Sequence, residues 1–142
     1  MAVGVQVVID CADPGKLAQF WAESLHYILQ PPGPGYDSWE NRLRDMGVPE
    51  ERWNDASAVV DPEGAGPRIF FQRVPEPKSV KNRVHLDLNV TAGVHGEDND
   101  GQLEAEATRL EAIGATRVRK MDEWSGKWIV MLDPEGNEFC LQ

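Results

Sequence analysis

The sequence predicts an α+β fold made of two β-α-β-β-β halves, and three observations carry that expectation. The first is order: each half runs strand, helix, then three strands. The second is a turn, Asp61-Pro62-Glu63-Gly64, which recurs as Asp133-Pro134-Glu135-Gly136, 72 positions on, each time just before a closing strand. The third is a pair of polar residues, Gln6 and His85, 79 positions apart on the polar face of each opening strand. Repetition of this kind says more about a fold than any single motif.

Residues 5–11 alternate: Val5, Val7, Ile9 and Cys11 share one face, with Gln6, Val8 and Asp10 on the other. Asp13 then caps a helix with Pro14 at its first position, and Leu17, Phe20, Trp21 and Leu25 extend it at helical spacing. A strand over 27–30 is stopped by Pro31-Pro32-Gly33-Pro34-Gly35. Residues 36–55 have a different texture. Asp37 or Ser38 caps a short helix through Trp39, Leu43 and Met46, and a further turn carries Trp53. Two tryptophans in a polar insertion fit a flap over a cavity, and they fit equally an insertion packed onto the body.

Strands follow at 56–60 and 68–74, and the proline-rich linker at 75–78 divides the chain into modules 1–78 and 79–142. The second module opens with a strand over 83–90, then a polar loop over 91–101 and a helix over 102–113 stopped by Gly114. Strands at 115–120, 128–132 and 137–141 complete it.

Bulk properties narrow the function. The 142 residues carry 24 acidic against 14 basic side chains, a formal net charge of −10. That balance argues against nucleic acid and anionic membranes, which bind through Lys and Arg. No apolar run approaches the roughly 20 residues of a membrane span. The N-terminus lacks a signal-peptide core, so a cytoplasmic protein is expected. Cys11 and Cys140 form no CxxC pair and read as reduced thiols.

The polar strand faces are the candidate site. Gln6 and Asp10 occupy that face in the first half, and His85, Asp87 and Asn89 in the second. In the closing strands, Phe70 and Gln72 alternate with Ile69, Phe71 and Arg73, and Glu138 and Cys140 with Phe139 and Leu141. Facing one another, such surfaces line the hollow of a curved sheet and hold a small-molecule ligand. A solvated outer face satisfies the same alternation.

Three segments make a resemblance specific: Val5-Gln-Val-Val-Ile-Asp-Cys-Ala-Asp-Pro with Phe20-Trp21 in the following helix, Asn82-Arg-Val-His-Leu-Asp-Leu, and Asp133-Pro-Glu-Gly-Asn-Glu-Phe-Cys-Leu. Together they resemble the glyoxalase/bleomycin-resistance (vicinal-oxygen-chelate) superfamily over nearly the whole chain. The resemblance implies two βαβββ modules whose curved mixed sheets form a shared cavity, in a homodimer or a two-module monomer. In metal-using members, opening and closing strands supply four ligands to a divalent metal such as Zn, Ni, Mn or Fe. The matching positions are Gln6, Gln72, His85 and Cys140, so both customary closing-strand glutamates are missing. Two amide oxygens, an imidazole and a thiol make a mixed set for such an ion. His85, Asp87 and Glu138 are then the candidates for catalytic acid/base work. Substrate contacts fall to Trp39, Trp53, Phe70 and Asp10, with Trp128 and Met131 from the second module. Two readings stand: a small-molecule-binding protein without the full metal set, and a metal-dependent lyase, isomerase or dioxygenase acting on an oxygen-bearing substrate. His26 replaces the glycine usual in the family at that turn.

Overall fold

The computed structural model describes residues 1–93 and 97–142, with side chains at all of these but 97 and 98. It divides into two units, Met1–Pro77 and Lys78–Gln142.

In the first unit, β1 (Val7–Cys11) leads into α1 (Pro14–Leu25). The short β2 (Ile28–Leu29), α2 (Trp39–Asp45) and a 3-10 turn (Glu50–Arg52) follow, then β3 (Ala56–Val60) and β4 (Ile69–Arg73). The sheet order is β1-β4-β3-β2, with β1 parallel to β4 and the other pairs antiparallel. One face of the sheet packs on α1. Val59, Ile69 and Phe71 meet Leu17, Ala18, Phe20 and Trp21 there, all nearly or wholly inaccessible to solvent. Phe20 and Trp21 add an edge-on contact at 5.6 Å between ring centres.

Both ends of α1 are built by side chains and turn chemistry. Asp13 accepts from the Lys16 N–H as N-cap. At the other end the Tyr27 N–H reaches the Ala22 carbonyl (2.8 Å) and the His26 N–H reaches Glu23 (3.5 Å), the pair of bonds of a Schellman stop. Its left-handed position is His26, at φ 56°, the one non-glycine residue with positive φ among those described.

The second unit repeats the plan: β5 (Leu86–Leu88), α3 (Glu97–Ala112), β6 (Thr116–Glu123), β7 (Gly126–Leu132) and β8 (Glu138–Leu141). The sheet order is β5-β8-β7-β6, and again the opening strand is parallel to the closing one. Leu103, Ala107 and Leu110 of α3 are fully buried, as are Ile129, Met131 and Leu141 of the sheet. Arg117 of β6 bridges Glu104 and Glu111, and Lys120 bridges Asp100 and Glu104, tying α3 to β6.

Several boundaries differ from the sequence expectation, beginning with β1, which starts at Val7 and not Val5. The helix begins at Glu97, so 97–101 are helical and not loop; 94–96 lie outside the described residues. β5 pairs over only three residues, because its one partner β8 meets it only over Phe139–Leu141, and Val84 is left exposed. β6 and β7 run on into a hairpin closed by Trp124 and Ser125, with Trp124 at the exposed tip. Among the described residues no helix is long and apolar enough to cross a membrane.

The repeated turn works the same way in both units. An aspartate oxygen accepts the N–H two residues on, Glu63 from Asp61 and Glu135 from Asp133. The glycine then takes positive φ, 72° and 86°.

Candidate functional site

The first sheet has a second face, and the insertion roofs it. The register places Val8, Phe70 and Ala58 in one row and Asp10, Gln72 and Ala56 in the next, opposite the α1 side. Above part of this face lies a cavity of about 380 Å³. Ala56, Ala58 and Phe70 form its floor; Trp39, Leu43, Val48 and Trp53 form its apolar walls. Neither α2 nor the 3-10 turn contains a buried residue. Trp39 and Leu43 of α2, and Trp53 just after the turn, line the cavity.

The two indoles are held in place. Trp39 Nε1 donates to the Gln30 carbonyl (2.6 Å) and Trp53 Nε1 to the Val48 carbonyl (2.8 Å). Arg42 lies 5.2 Å from the Trp39 ring and Arg44 5.3 Å from the Trp53 ring. With both N–H groups satisfied by backbone, the rings offer π-surface and not hydrogen bonds to a ligand.

At one edge Asn54 joins the insertion to α1. Its Oδ1 accepts from the Gly15 N–H and its Nδ2 donates to Asp13 Oδ1, each at 2.8 Å. The amide of Asn54, and after it the Lys16 N–H, hold the Asp13 carboxyl below the usual carboxylate range. At another edge stands Arg68, half-buried, its guanidinium 5.2 Å from the Phe70 ring. Nε donates to Gln30 Oε1 (2.6 Å) and NH1 to Gln6 Oε1 (2.8 Å).

Trp39, Trp53 and Phe70 therefore come together in one cavity. Asp10 shares their face of the sheet, two residues along from the Val8–Phe70 row and outside the cavity lining. Gln6 and Gln72 are not brought together. Gln6 precedes the Val7–Ile69 pair, whereas Gln72 sits opposite Asp10, four residues farther along. At about 3.3 Å per residue that is roughly 13 Å of strand, and the Gln6 oxygen is already engaged by a cation. The ladder position that corresponds to Cys140 is Phe70, since Val8 faces Phe70 as Asp87 faces Cys140.

In the second unit His85, Asp87 and Cys140 do converge. Their potential ligand atoms lie within 4.8 Å of one another. His85 Nδ1 is 3.0 Å from Asp87 Oδ1, and both side chains are about two-fifths exposed, 41% and 40%. Burial, and then the Asp87 carboxylate, push the Cys140 thiol up from its ordinary range. Glu138 is on the same strand face but is turned to other work. It accepts the Asn82 N–H (2.9 Å) and pairs with Lys78 (3.2 Å), and the Asn82 bond foremost lowers its pKa. Trp128 is half-buried on that face. Met131 is not: it pairs with Phe139 on the α3 side and is fully buried, so its side chain serves the core and not a ligand. Both cysteines are buried, and neither is in a disulfide.

Sequence reasoning passed over Arg68, Gln30 and Asn54. Arg68 ends a Gly-Ala-Gly-Pro segment just before β4, and no periodicity marks it. Only the fold sets it against Gln6 and Gln30, 62 and 38 positions away.

Comparison with known proteins bears on this architecture. No curated protein matches the chain. Among solved structures it is similar to the fosfomycin resistance protein FosX from Listeria monocytogenes, complexed with Mn(II) and sulfate, at TM-score 0.64 and 13% identity over 100% of this chain and 90% of that one. It is similar to a glyoxalase/bleomycin resistance protein/dioxygenase family enzyme from Burkholderia phytofirmans PsJN at TM-score 0.60 and 14% identity, covering 96% and 94% of the two chains. A structure described as a possible glyoxalase from Bacillus cereus aligns at TM-score 0.61 and 13% identity, over 99% of each. At such identities the likeness shows the fold alone, two mixed four-stranded sheets with their helices. A model of the glyoxalase-like domain, however, matches residues 6–142, and the chain belongs to that family.

Proposed function

We propose that this glyoxalase-like protein binds a small molecule in the cavity beneath its insertion, and does so without the four-ligand metal set of metal-using relatives. The observation that carries the reading is the cavity wall: two indoles with satisfied N–H groups, pinned by arginines, over a floor of Phe70 and two alanines. At about 380 Å³ it lies near the lower end of the range for ligand pockets, roughly 300–1,000 Å³. Its size and π-lined walls suit a planar compound of one or two rings. The engagement of Gln6 by Arg68, and the register separating Gln6 from Gln72, support the metal-free half of the reading.

The test is calorimetric titration with a panel of one- and two-ring aromatic compounds, repeated in EDTA. Binding that survives EDTA and weakens roughly tenfold or more in Trp39→Ala and Trp53→Ala supports the reading; offset-stacked aromatic contacts justify that size. Unchanged binding in both variants refutes it.

A second reading is favoured by one observation, the convergence of His85, Asp87 and Cys140. An imidazole, a carboxylate and a thiolate form a set that fits a borderline ion such as Zn²⁺ better than a hard one. Such an ion, when bound, polarises a substrate oxygen. In that reading His85, Asp87 and Cys140 hold the ion, and Glu138, fixed by Asn82 and Lys78, shapes the adjoining surface. Stoichiometric metal in protein purified without chelator, lost in His85→Ala, would establish it.

A further inference from the structure

The cavity carries a charge that the rest of the protein does not. The chain is at −10 overall, yet the charged residues lining the cavity are Arg52, Arg68 and Asp55. Asp55 is already spoken for: Arg52 Nε lies 3.0 Å from one oxygen and Arg73 lies 3.8 Å from the other. Arg68 is different. Among the described residues it pairs with no carboxylate, and both of its hydrogen bonds go to neutral amide oxygens, of Gln30 and Gln6. A guanidinium has five N–H donors in a fixed fork. Two are used, and the NH2 group donates to no described residue.

Its surroundings keep it where it is. Phe70 beneath the guanidinium plane fixes its tilt, and the two glutamine oxygens fix its rotation. Neither amide neutralises the charge. A half-buried cation held by neutral acceptors beside an apolar cavity is preorganised for an anion, because nothing must be displaced to present it. Partial exclusion of water strengthens the attraction relative to a surface arginine.

We propose that the ligand of this cavity is an aromatic acid, its ring between Trp39 and Trp53 and its carboxylate on Arg68. Gln6 then acts as a positioning residue: at the position where the family resemblance places a metal ligand, it orients a guanidinium. The fixed cation that receives the ligand's oxygens is thus a side chain of the chain itself. This proposal rests on the cavity reading above and adds the charge of the ligand to it.

Two probes of equal size separate the ideas: 2-naphthoate, an anion, and 2-naphthamide, its neutral isostere. By calorimetry at low salt the wild type is expected to bind the acid at least tenfold more tightly, the size of one charge-assisted hydrogen bond. Arg68→Gln should abolish that preference while still binding the amide. Arg68→Lys, which keeps the charge but not the fork, should retain a preference of reduced size. Gln6→Ala should reduce it as well. Equal binding of the two probes by the wild type, or a preference undiminished in Arg68→Gln, overturns the charge assignment and leaves the cavity reading intact. Binding of neither probe by the wild type overturns both. Amide binding by the Arg68 variants serves as the check that they are folded.

Discussion

Replacing Asn54 with alanine tests whether the insertion and α1 are coupled as the geometry requires. The side chain makes two hydrogen bonds of 2.8 Å, one from the Gly15 N–H and one to the Asp13 carboxylate. The first satisfies one of the unpaired donors at the start of α1, and the second is charge-assisted. A neutral bond contributes about 0.5–1.5 kcal/mol net and one to a charged group about 1.5–3. Asn54 and Asp13 are both half-exposed, so the lower ends apply, and the expected loss is about 2 kcal/mol. For a chain of this size that corresponds to roughly 4–8 °C in melting temperature. The loss should depend on pH. Asp13 has a lowered pKa, so its contribution is complete above the unfolded value near 3.8 and fades as pH falls through the folded one. Urea unfolding followed by tryptophan fluorescence should therefore show the full deficit at neutral pH, and a deficit reduced to the neutral bond's share, about 0.5–1 kcal/mol, well below pH 3.8. Asn54→Asp sharpens the test: it keeps an acceptor for Gly15 but sets two carboxylates together, so its deficit should be steeper at neutral pH and nearly vanish in acid. A neutral-pH deficit under about 0.5 kcal/mol for Asn54→Ala, or one equal at both pH values, refutes the coupling.

Two further outcomes follow from single residues. His26→Gly should stabilise the protein by about 0.5–1 kcal/mol: relief of left-handed strain is worth about 1–2 kcal/mol and the added chain entropy of glycine costs about 0.5–1. An unchanged or lower urea midpoint would show that His26 is held by something other than the turn. Cys140 should resist alkylation by iodoacetamide in the folded protein, and Asp87→Asn should speed the reaction, since the Asp87 carboxylate is among the causes that raise the thiol's pKa. Equal rates in the two proteins would remove Asp87 from that role.

The alternating strands, the Asp13 cap and the repeated turn were all legible because each is a local pattern. Register was not. From Asp61 to the first residue of β4 is eight positions, but from Asp133 to the matching Phe139 is six. The two turns are alike and the segments after them are not: counting from the turns sets Arg68 against Cys140, the expected Gln72 lies two residues to the other side, and the ladder sets Phe70 there. A two-residue slip preserves the face and moves the side chain about 7 Å along it. Met131 failed for the complementary reason: strand parity places it with Phe139, and only burial identifies that face as the core. Arg68 was invisible because its partners are distant in sequence.

The two units share strand order but differ in what covers their sheets, and the difference lies in one connection. Between β2 and β3 the first unit inserts residues 30–55; between β6 and β7 the second has only Trp124 and Ser125. The first length is enough for a helix, a 3-10 turn and two tethered indoles above the sheet. The second closes a hairpin and leaves His85 and Asp87 two-fifths exposed on their own unit. Electrostatic recognition grows stronger as water is excluded. By that measure the charge best placed to recognise a ligand is not on the His85–Asp87–Cys140 cluster, which the family pattern draws attention to. It is Arg68, half-buried at the edge of the cavity and held by two amides that leave its charge unanswered.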